Sequence, residues 1–127
     1  MDQPVGAGGR GPMNALVLAF LNSWRGLRHG ARTERAVRQE LMLLALGVPV
    51  ALLLGATLWV RVALMVSLLL MLAAEFLNTA VEKLCDHVHP DHHPMIGTVK
   101  DLASAGTFMA QMAALLVWVA ALVERVG

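Results

Sequence analysis

Three uncharged runs dominate the pattern of hydrophobic and polar positions, at residues 41–60, 62–73 and 102–123. The first holds twenty residues and the third twenty-two, each enough to cross about 30 Å of hydrocarbon as an α-helix. The middle run passes without a break into a polar stretch, Ala74-Glu75-Phe76-Leu77-Asn78-Thr79-Ala80-Val81-Glu82-Lys83-Leu84-Cys85-Asp86. Continuing its helix to residue 82 gives a span over residues 62–82. Pro49 frees the carbonyl of Ala45, and with Gly47 and Gly55 nearby it predicts a kink or a close helix contact. Trp59 and Arg61 mark the far interface, with a very short turn before Val62. Ahead of the spans, residues 13–30 place Leu16, Phe20, Trp24 and Leu27 at spacings of four, four and three. Asn22, Arg25 and Arg28 fall elsewhere, which predicts an amphipathic helix in the headgroup region; a plain extension of the first span is the alternative. The expected fold is an all-α integral membrane protein. It has three transmembrane helices and an N-terminal amphipathic surface helix, forming a single domain over residues 13–127.

Composition agrees: 57% hydrophobic and 15% charged residues in a chain of 127 is too apolar for an ordinary soluble domain. The net charge of +1 gives no footprint for nucleic acid. Its distribution says more. Arg10, Arg25, Arg28, Arg32, Arg35 and Arg38 precede the first span, against Arg61 in the first turn and Arg125 near the end. The positive-inside rule then predicts a cytoplasmic N-terminus, and three crossings put residues 82–101, with both lysines, on the same face. Residues 1–12 are rich in glycine, with Pro4 and Pro12, and favour a flexible segment. Their start lacks the basic-then-apolar layout of a cleavable signal peptide, which predicts a retained N-terminus. A phosphate-cradling loop at Gly6 to Gly11 is excluded, because no strand precedes it and no Lys-Ser/Thr follows. The lone Cys85 has no disulfide or CxxC partner and is expected to pack on the flank of the polar stripe.

The chemistry gathers on the polar stretch. At 100° per residue Glu82 and Asp86 lie within about 20° of Glu75 around the helix axis, and Asn78 about 60° away. A carboxylate just inside a span is unfavourable by a few kcal/mol unless it is paired, protonated or bound to a cation, so a stripe of them points to function. Phosphoryl transfer needs carboxylates for a metal, cations for phosphates and a base for the attacking hydroxyl. Glu75 lies deepest toward the lipid, the position suited to the base, and Lys100 supplies a point charge for phosphate. Glu34 and Arg38, at i and i+4, read by spacing alone as a surface ion pair. His87, His89, His92 and His93 can bind zinc, but Pro90 and Pro94 break helical presentation and no spacing matches a structural site, so a solvated loop is the plainer reading.

Glu75-Phe76-Leu77-Asn78-Thr79-Ala80-Val81-Glu82 followed by Asp86 resembles the signature E-x-x-N-[ST]-A-[IV]-E of the small prokaryotic diacylglycerol kinases, which has an Asp four residues on. The resemblance runs from Asn22 to the C-terminus in register. It takes in Ser23-Trp24-Arg25-Gly26-Leu27, Arg38-Gln39-Glu40, and Lys100-Asp101 with Ser104. It implies a homotrimeric inner-membrane lipid kinase with shared active sites, transferring the γ-phosphate of ATP to 1,2-diacylglycerol. By motif match Glu75 is the general base, Glu34 and Glu82 hold Mg²⁺, and Asn78 assists at the reaction centre. Asn22, Lys100 and Asp101 contact the nucleotide with Glu34 and Glu82, and Asp91, His92 and His93 occupy the slot of the family's loop contacts to ATP. Ser23, Trp24, Arg28, Arg38, Gln39, Asn78 and Ser104 line the lipid site with Glu75. This chain has Ala15 where the family usually has an Arg, with Asn14 and Arg10 as nearby polar candidates.

Within the same family undecaprenol is the other acceptor that these motifs allow. From a different class, an intramembrane Glu also suits a small proton-coupled transporter, which leaves Glu82, Asp86, Lys100 and Asp101 without a role.

Overall fold

In the computed structural model the described residues are 11–127; the expected flexible segment and the candidate Arg10 lie outside them, apart from Gly11 and Pro12. Among the described residues there are four helices: α1 (Pro12–Thr33), α2 (Arg35–Leu54), α3 (Leu58–Val88) and α4 (Pro94–Val126). Residues up to Glu34 form one compact unit and Arg35–Gly127 a second.

In the first unit, Pro12 stands at the start of α1, where its missing N–H loses no helical bond. The helix closes where the N–H of Glu34, in extended conformation, donates to Gly30 O at 2.9 Å. Leu16, Phe20 and Trp24 are 67%, 69% and 56% exposed, so one whole apolar face is left for a partner other than this helix, as an interfacial helix requires.

In the second unit α3 is central, packed against α2 and α4. The side chains that meet there are small against large. Ala51, Leu64 and Ala121 are buried together with Val117 and Trp118 packed on them; Leu68, Met71 and Ala114 follow, with Leu44 and again Trp118. Alanines at the contact let helices approach closely, the arrangement favoured where lipid supplies no hydrophobic drive between helices. Gly47 also lies at this contact, with Leu68 and Trp118 against its missing side chain. Trp118 Nε1 donates to Ser67 Oγ at 3.1 Å and Ser67 Oγ donates to Leu64 O at 2.7 Å, so the buried polar atoms of this layer satisfy one another. Outward, Leu102, Met109, Leu116 and Val123 are exposed at a spacing of seven along α4. Three helices long and apolar enough to cross a membrane, with so much apolar surface left outside, fit a multi-pass membrane protein.

Two boundaries differ from the sequence reading. The first turn lies at Gly55–Thr57 rather than around Arg61, because α3 starts at Leu58 with Thr57 Oγ1 accepting from Val60 N at 3.3 Å. Arg61 is helical and caps the end of α2, its Nε donating to Gly55 O at 3.1 Å. The second connection shrinks to His89–His93, because α4 begins at Pro94 with His93 Nδ1 accepting from Met95 N at 3.1 Å. Lys100 and Asp101 therefore stand on a helix.

Gly47→Val sets a branched carbon against Leu68 Cδ1, where even an ideal Cβ lies 2.5 Å away. Leu68 is itself buried, so its side-chain tip must move within a packed layer. A loss of about 1–3 kcal/mol is expected, seen as a lower unfolding midpoint in detergent; Gly26→Ala, which meets nothing within 4 Å, leaves that midpoint unchanged or slightly higher.

Candidate active site

The polar side chains of α3 run along one stripe whose burial falls steadily toward the His89–His93 connection. Glu75 and Thr79 are each 8% exposed, Asn78 is half-buried, Glu82 is exposed and the Asp86 side chain is 66% exposed. No Gly or Pro interrupts Leu58–Val88, so the helix carries the stripe unbroken from apolar packing to solvent. Asn78 Nδ2 donates to Glu82 Oε1 at 3.3 Å, the i to i+4 geometry of one helix turn. Asn78 Oδ1 is buried and has no hydrogen-bond partner among the described residues. A buried acceptor left bare costs about 1–3 kcal/mol, and such an atom at the middle of a polar stripe is available to a ligand.

At the deep end Glu75 has company that the motifs did not foretell. Glu40, on the first turns of α2, is 6% exposed and turned to both helices, close to the Gln111 side chain of α4 and within electrostatic range of Glu75. Its Oε2 is buried without a hydrogen-bond partner among the described residues. The signal was present in the spacing. Val37, Glu40, Leu44, Gly47 and Ala51 recur every three or four residues, so Glu40 belongs to the buried face of α2 rather than to the arginine-rich approach before it. Thr107, also buried, reaches Ala103 O at 3.4 Å and Ala74 O at 3.5 Å, tying α4 to α3 beside Glu75.

At the shallow end Lys100 Nζ contacts Asp86 Oδ1 at 2.6 Å. This pair holds the Lys100 ammonium above its ordinary range, chiefly through the hydrogen bond to Asp86. Both side chains are exposed enough that the pair orients charge more than it stabilises the fold. A cavity of about 220 Å³ opens beside it, lined by Asp86, Lys100, Ile96 and Gly97 and by the connection from His89 to His93. The histidines are occupied locally. His89 Nδ1 lies 2.9 Å from Asp91 O, His93 Nδ1 caps α4, and the two rings are 5.1 Å apart. Among the described residues no group of three or more His, Cys, Asp or Glu side chains could hold a metal ion by itself.

The remaining candidates divide between the units. On α1, Ser23, Trp24 and Arg28 are exposed, Asn22 Oδ1 accepts from Arg25 Nη2, and Glu34 Oε1 accepts from Thr33 Oγ1 at 3.2 Å. In the second unit Arg38 and Gln39 are exposed on α2, next in sequence to the buried Glu40, while Asp101 and Ser104 are exposed on α4. Asn78, Ala74, Leu77, Ala103 and Thr107 border a second cavity of about 230 Å³, an apolar groove between α3 and α4 with one polar wall. The structure thus gathers Glu40, Glu75, Asn78, Glu82, Asp86 and Lys100 along one edge of the α2–α4 unit.

The sequence model of the family described as prokaryotic diacylglycerol kinase matches residues 21–122, which contain every one of these side chains. Diacylglycerol kinase of Escherichia coli (strain K12) is 35% identical over 96 residues, covering 76% of this chain and 79% of that protein. Diacylglycerol kinase of Haemophilus influenzae is 34% identical over 96 residues, with 76% and 81% covered. The protein of that name from Pseudomonas aeruginosa is 34% identical over 99 residues, with 78% and 75% covered.

Proposed function

The chain belongs to the prokaryotic diacylglycerol kinase family and is a diacylglycerol kinase, and from that premise we propose that it moves the γ-phosphate of ATP onto the primary hydroxyl of 1,2-diacylglycerol along the α3 stripe, giving phosphatidate. The observation that supports this most is the burial gradient, from Glu75 among apolar side chains to Glu82, Asp86 and Lys100 at the solvent end. A lipid hydroxyl arrives from the apolar end and a nucleotide from the wet one, and only a site graded in this way serves both.

In this reading Glu75 takes the proton of the acceptor hydroxyl as its oxygen bonds to the γ-phosphorus. The bond from that phosphorus to the bridging oxygen breaks, and ADP leaves. Asn78, with its bare Oδ1 and its amide on Glu82, links the base to the metal-binding carboxylate. Lys100 neutralises phosphate charge, and Asp86 holds it in place. Asn22, Asp91, His92, His93 and Asp101 complete the nucleotide contacts. Ser23, Trp24, Arg28, Arg38, Gln39 and Ser104 line the approach of the lipid.

The donor set fits Mg²⁺. Glu82 offers a hard carboxylate oxygen beside a bare amide oxygen, and too few ligands for an all-protein cage suit an ion that shares phosphate oxygens and water. Glu34 and Glu82 are the proposed ligands, and the ion when bound supplies charge neutralisation on the transferring phosphoryl group. The protein is proposed to lie in the bacterial inner membrane, as one kinase domain over residues 13–127. The arginines before α2 favour a cytoplasmic N-terminus. Assembly as a homotrimer is proposed from the family resemblance; the apolar stripe of α4 and the groove between α3 and α4 are surface that a second copy or lipid can cover.

Glu75→Gln keeps shape and hydrogen bonding but removes the base. Turnover with diacylglycerol is expected to fall about 10²–10⁴-fold while ATP binding and assembly persist; turnover at the parent rate refutes the mechanism, and lost ATP binding in a folded protein makes Glu75 a metal ligand instead. Glu34→Gln and Glu82→Gln are each expected to raise the Mg²⁺ and ATP requirement and to cut kcat by orders of magnitude. Near-normal kinetics of Glu34→Gln would return that residue to a surface pair with Arg38. Accessibility labelling of single cysteines in a variant lacking Cys85 should find residue 92 in the cytoplasm and residue 127 across the membrane; both on one side excludes three crossings.

A further inference from the structure

The cavity beside Lys100 is walled by Asp86 at the end of α3, by residues 89–93 of the connection, and by Ile96, Gly97 and Lys100 on the first two turns of α4. The last wall depends on how α4 starts. His93, with an extended backbone, is its N-cap: its carbonyl accepts from Gly97 N at 3.0 Å and its Nδ1 from Met95 N at 3.1 Å. Pro94 has no N–H to satisfy, so the side chain takes the first amide that the helix leaves open. Ser, Thr, Asp and Asn are the usual caps; here the cap is a ring that also lines the cavity. An accepting Nδ1 puts the ring proton on Nε2. His89 is bound the opposite way, its Nδ1 donating to Asp91 O at 2.9 Å, because a carbonyl only accepts. The two rings, 5.1 Å apart, are thus each fixed by a main-chain bond.

We infer that His93 is a positioning residue for the nucleotide: through Nδ1 it holds the first turn of α4, and with that turn the Lys100 ammonium, in the place where Lys100 meets Asp86. Lys100 stands about 10 Å along the helix from His93 at 1.5 Å per residue. Its bond to Asp86 Oδ1 at 2.6 Å joins α4 to α3 beside the cavity, but both side chains are exposed and water competes for it. A pair so screened does not hold a helix end; a cap does. Without one the helix frays from its first turn, and that turn carries the Ile96 and Gly97 wall of the cavity. The inference rests on the reading of Lys100 as the phosphate contact. The contact proposed between His93 and ATP falls to Nε2–H, and substitution separates the two roles.

The test measures kcat, KM for diacylglycerol and KM for ATP in lipid bilayers, together with hydrogen exchange of the Met95 amide, for His93→Ser, His93→Gln, His93→Ala and Lys100→Met. Ser caps a helix but lacks the reach of a ring; Gln keeps a donor at the end of a long side chain but is not among the preferred caps. His93→Ala and His93→Gln are expected to expose the Met95 amide and to raise KM for ATP about 5-fold, the weight of one capping bond. KM for diacylglycerol and kcat at saturating ATP stay parental, and His93→Ser restores both the protection and the KM for ATP. Across the His93 variants KM for ATP thus follows protection of Met95. A parental KM for ATP in His93→Ala overturns the inference, and so does any His93 variant in which KM for ATP rises while Met95 stays protected, which assigns the role to direct contact through Nε2. If Lys100→Met is impaired toward ATP while His93→Ala is parental, only this inference fails; if Lys100→Met keeps the parental KM for ATP, the reading of Lys100 fails and takes the inference with it.

Discussion

A carboxyl group held among apolar helices is the constraint on which the rest depends. Glu75 at 8% exposure and Glu40 at 6% each face surroundings that penalise a charge by several kcal/mol unless polar neighbours replace water. The neighbours come from every helix of the unit: α2 brings Glu40, α3 brings Asn78 and Glu82 one and two turns on, and α4 brings Thr107, which reaches Ala74 O. For those side chains to meet, the helices must approach closely just beyond them. That accounts for the alanines at Ala51, Ala114 and Ala121 and for Gly47, whose missing side chain admits Leu68 and Trp118. The close packing of this layer thus lies directly beside the polar stripe of α3.

The two ends of the stripe obey different physics. Near Glu75 a hydrogen bond is strong because little water competes for it, and a missing one is correspondingly unfavourable. Near Asp86 and Lys100, with 66% and 38% of their side chains exposed, the same kind of contact is screened and adds little to the fold. Charges at the wet end can therefore be arranged for a polyanionic ligand without threatening the structure, while at the dry end each bare atom, such as Asn78 Oδ1 or Glu40 Oε2, is unfavourable until something bonds it. The connection His89–His93 shows the economy of this arrangement. His93 caps α4, and α4 in turn carries Lys100 two turns on.

Much of this was legible in the chain, because hydrocarbon imposes long uncharged runs and the helix repeat fixes which side chains share a face. The three long helices, the lone amphipathic helix before them and the register of Glu75, Asn78, Glu82 and Asp86 follow from those two rules. What they miss is local. The turn falls at Gly55–Thr57 because Thr57 caps α3 and Arg61 reaches back to Gly55 O, contacts that a hydropathy pattern does not encode. Lys100 and Asp101 are helical because a helix need not stop where hydrocarbon does. Glu40 escaped because its neighbours in sequence are Arg38 and Gln39, which look solvated, whereas its neighbours on the helix face are Val37 and Leu44. Periodicity read one turn further back would have placed it.

The distribution of polar atoms also separates a kinase from a proton-coupled carrier. A carrier needs polar groups that reach both faces of the membrane in turn. Here the stripe runs from Glu75 in one direction only, about 16 Å along α3 to Asp86 at 1.5 Å per residue. In the other direction the helices meet through Leu68, Met71, Ala114, then Leu64, Ala51 and Ala121, and the polar pair in that stretch, Ser67 and Trp118, is closed on itself and on Leu64 O. Among the described residues, none of the side chains that pack this layer is a carboxylate, a histidine or a lysine. A buried base whose polar path opens to one side suits a reaction in which one substrate is dissolved in the lipid and the other in water, and in which the proton leaves by the same end at which the nucleotide enters.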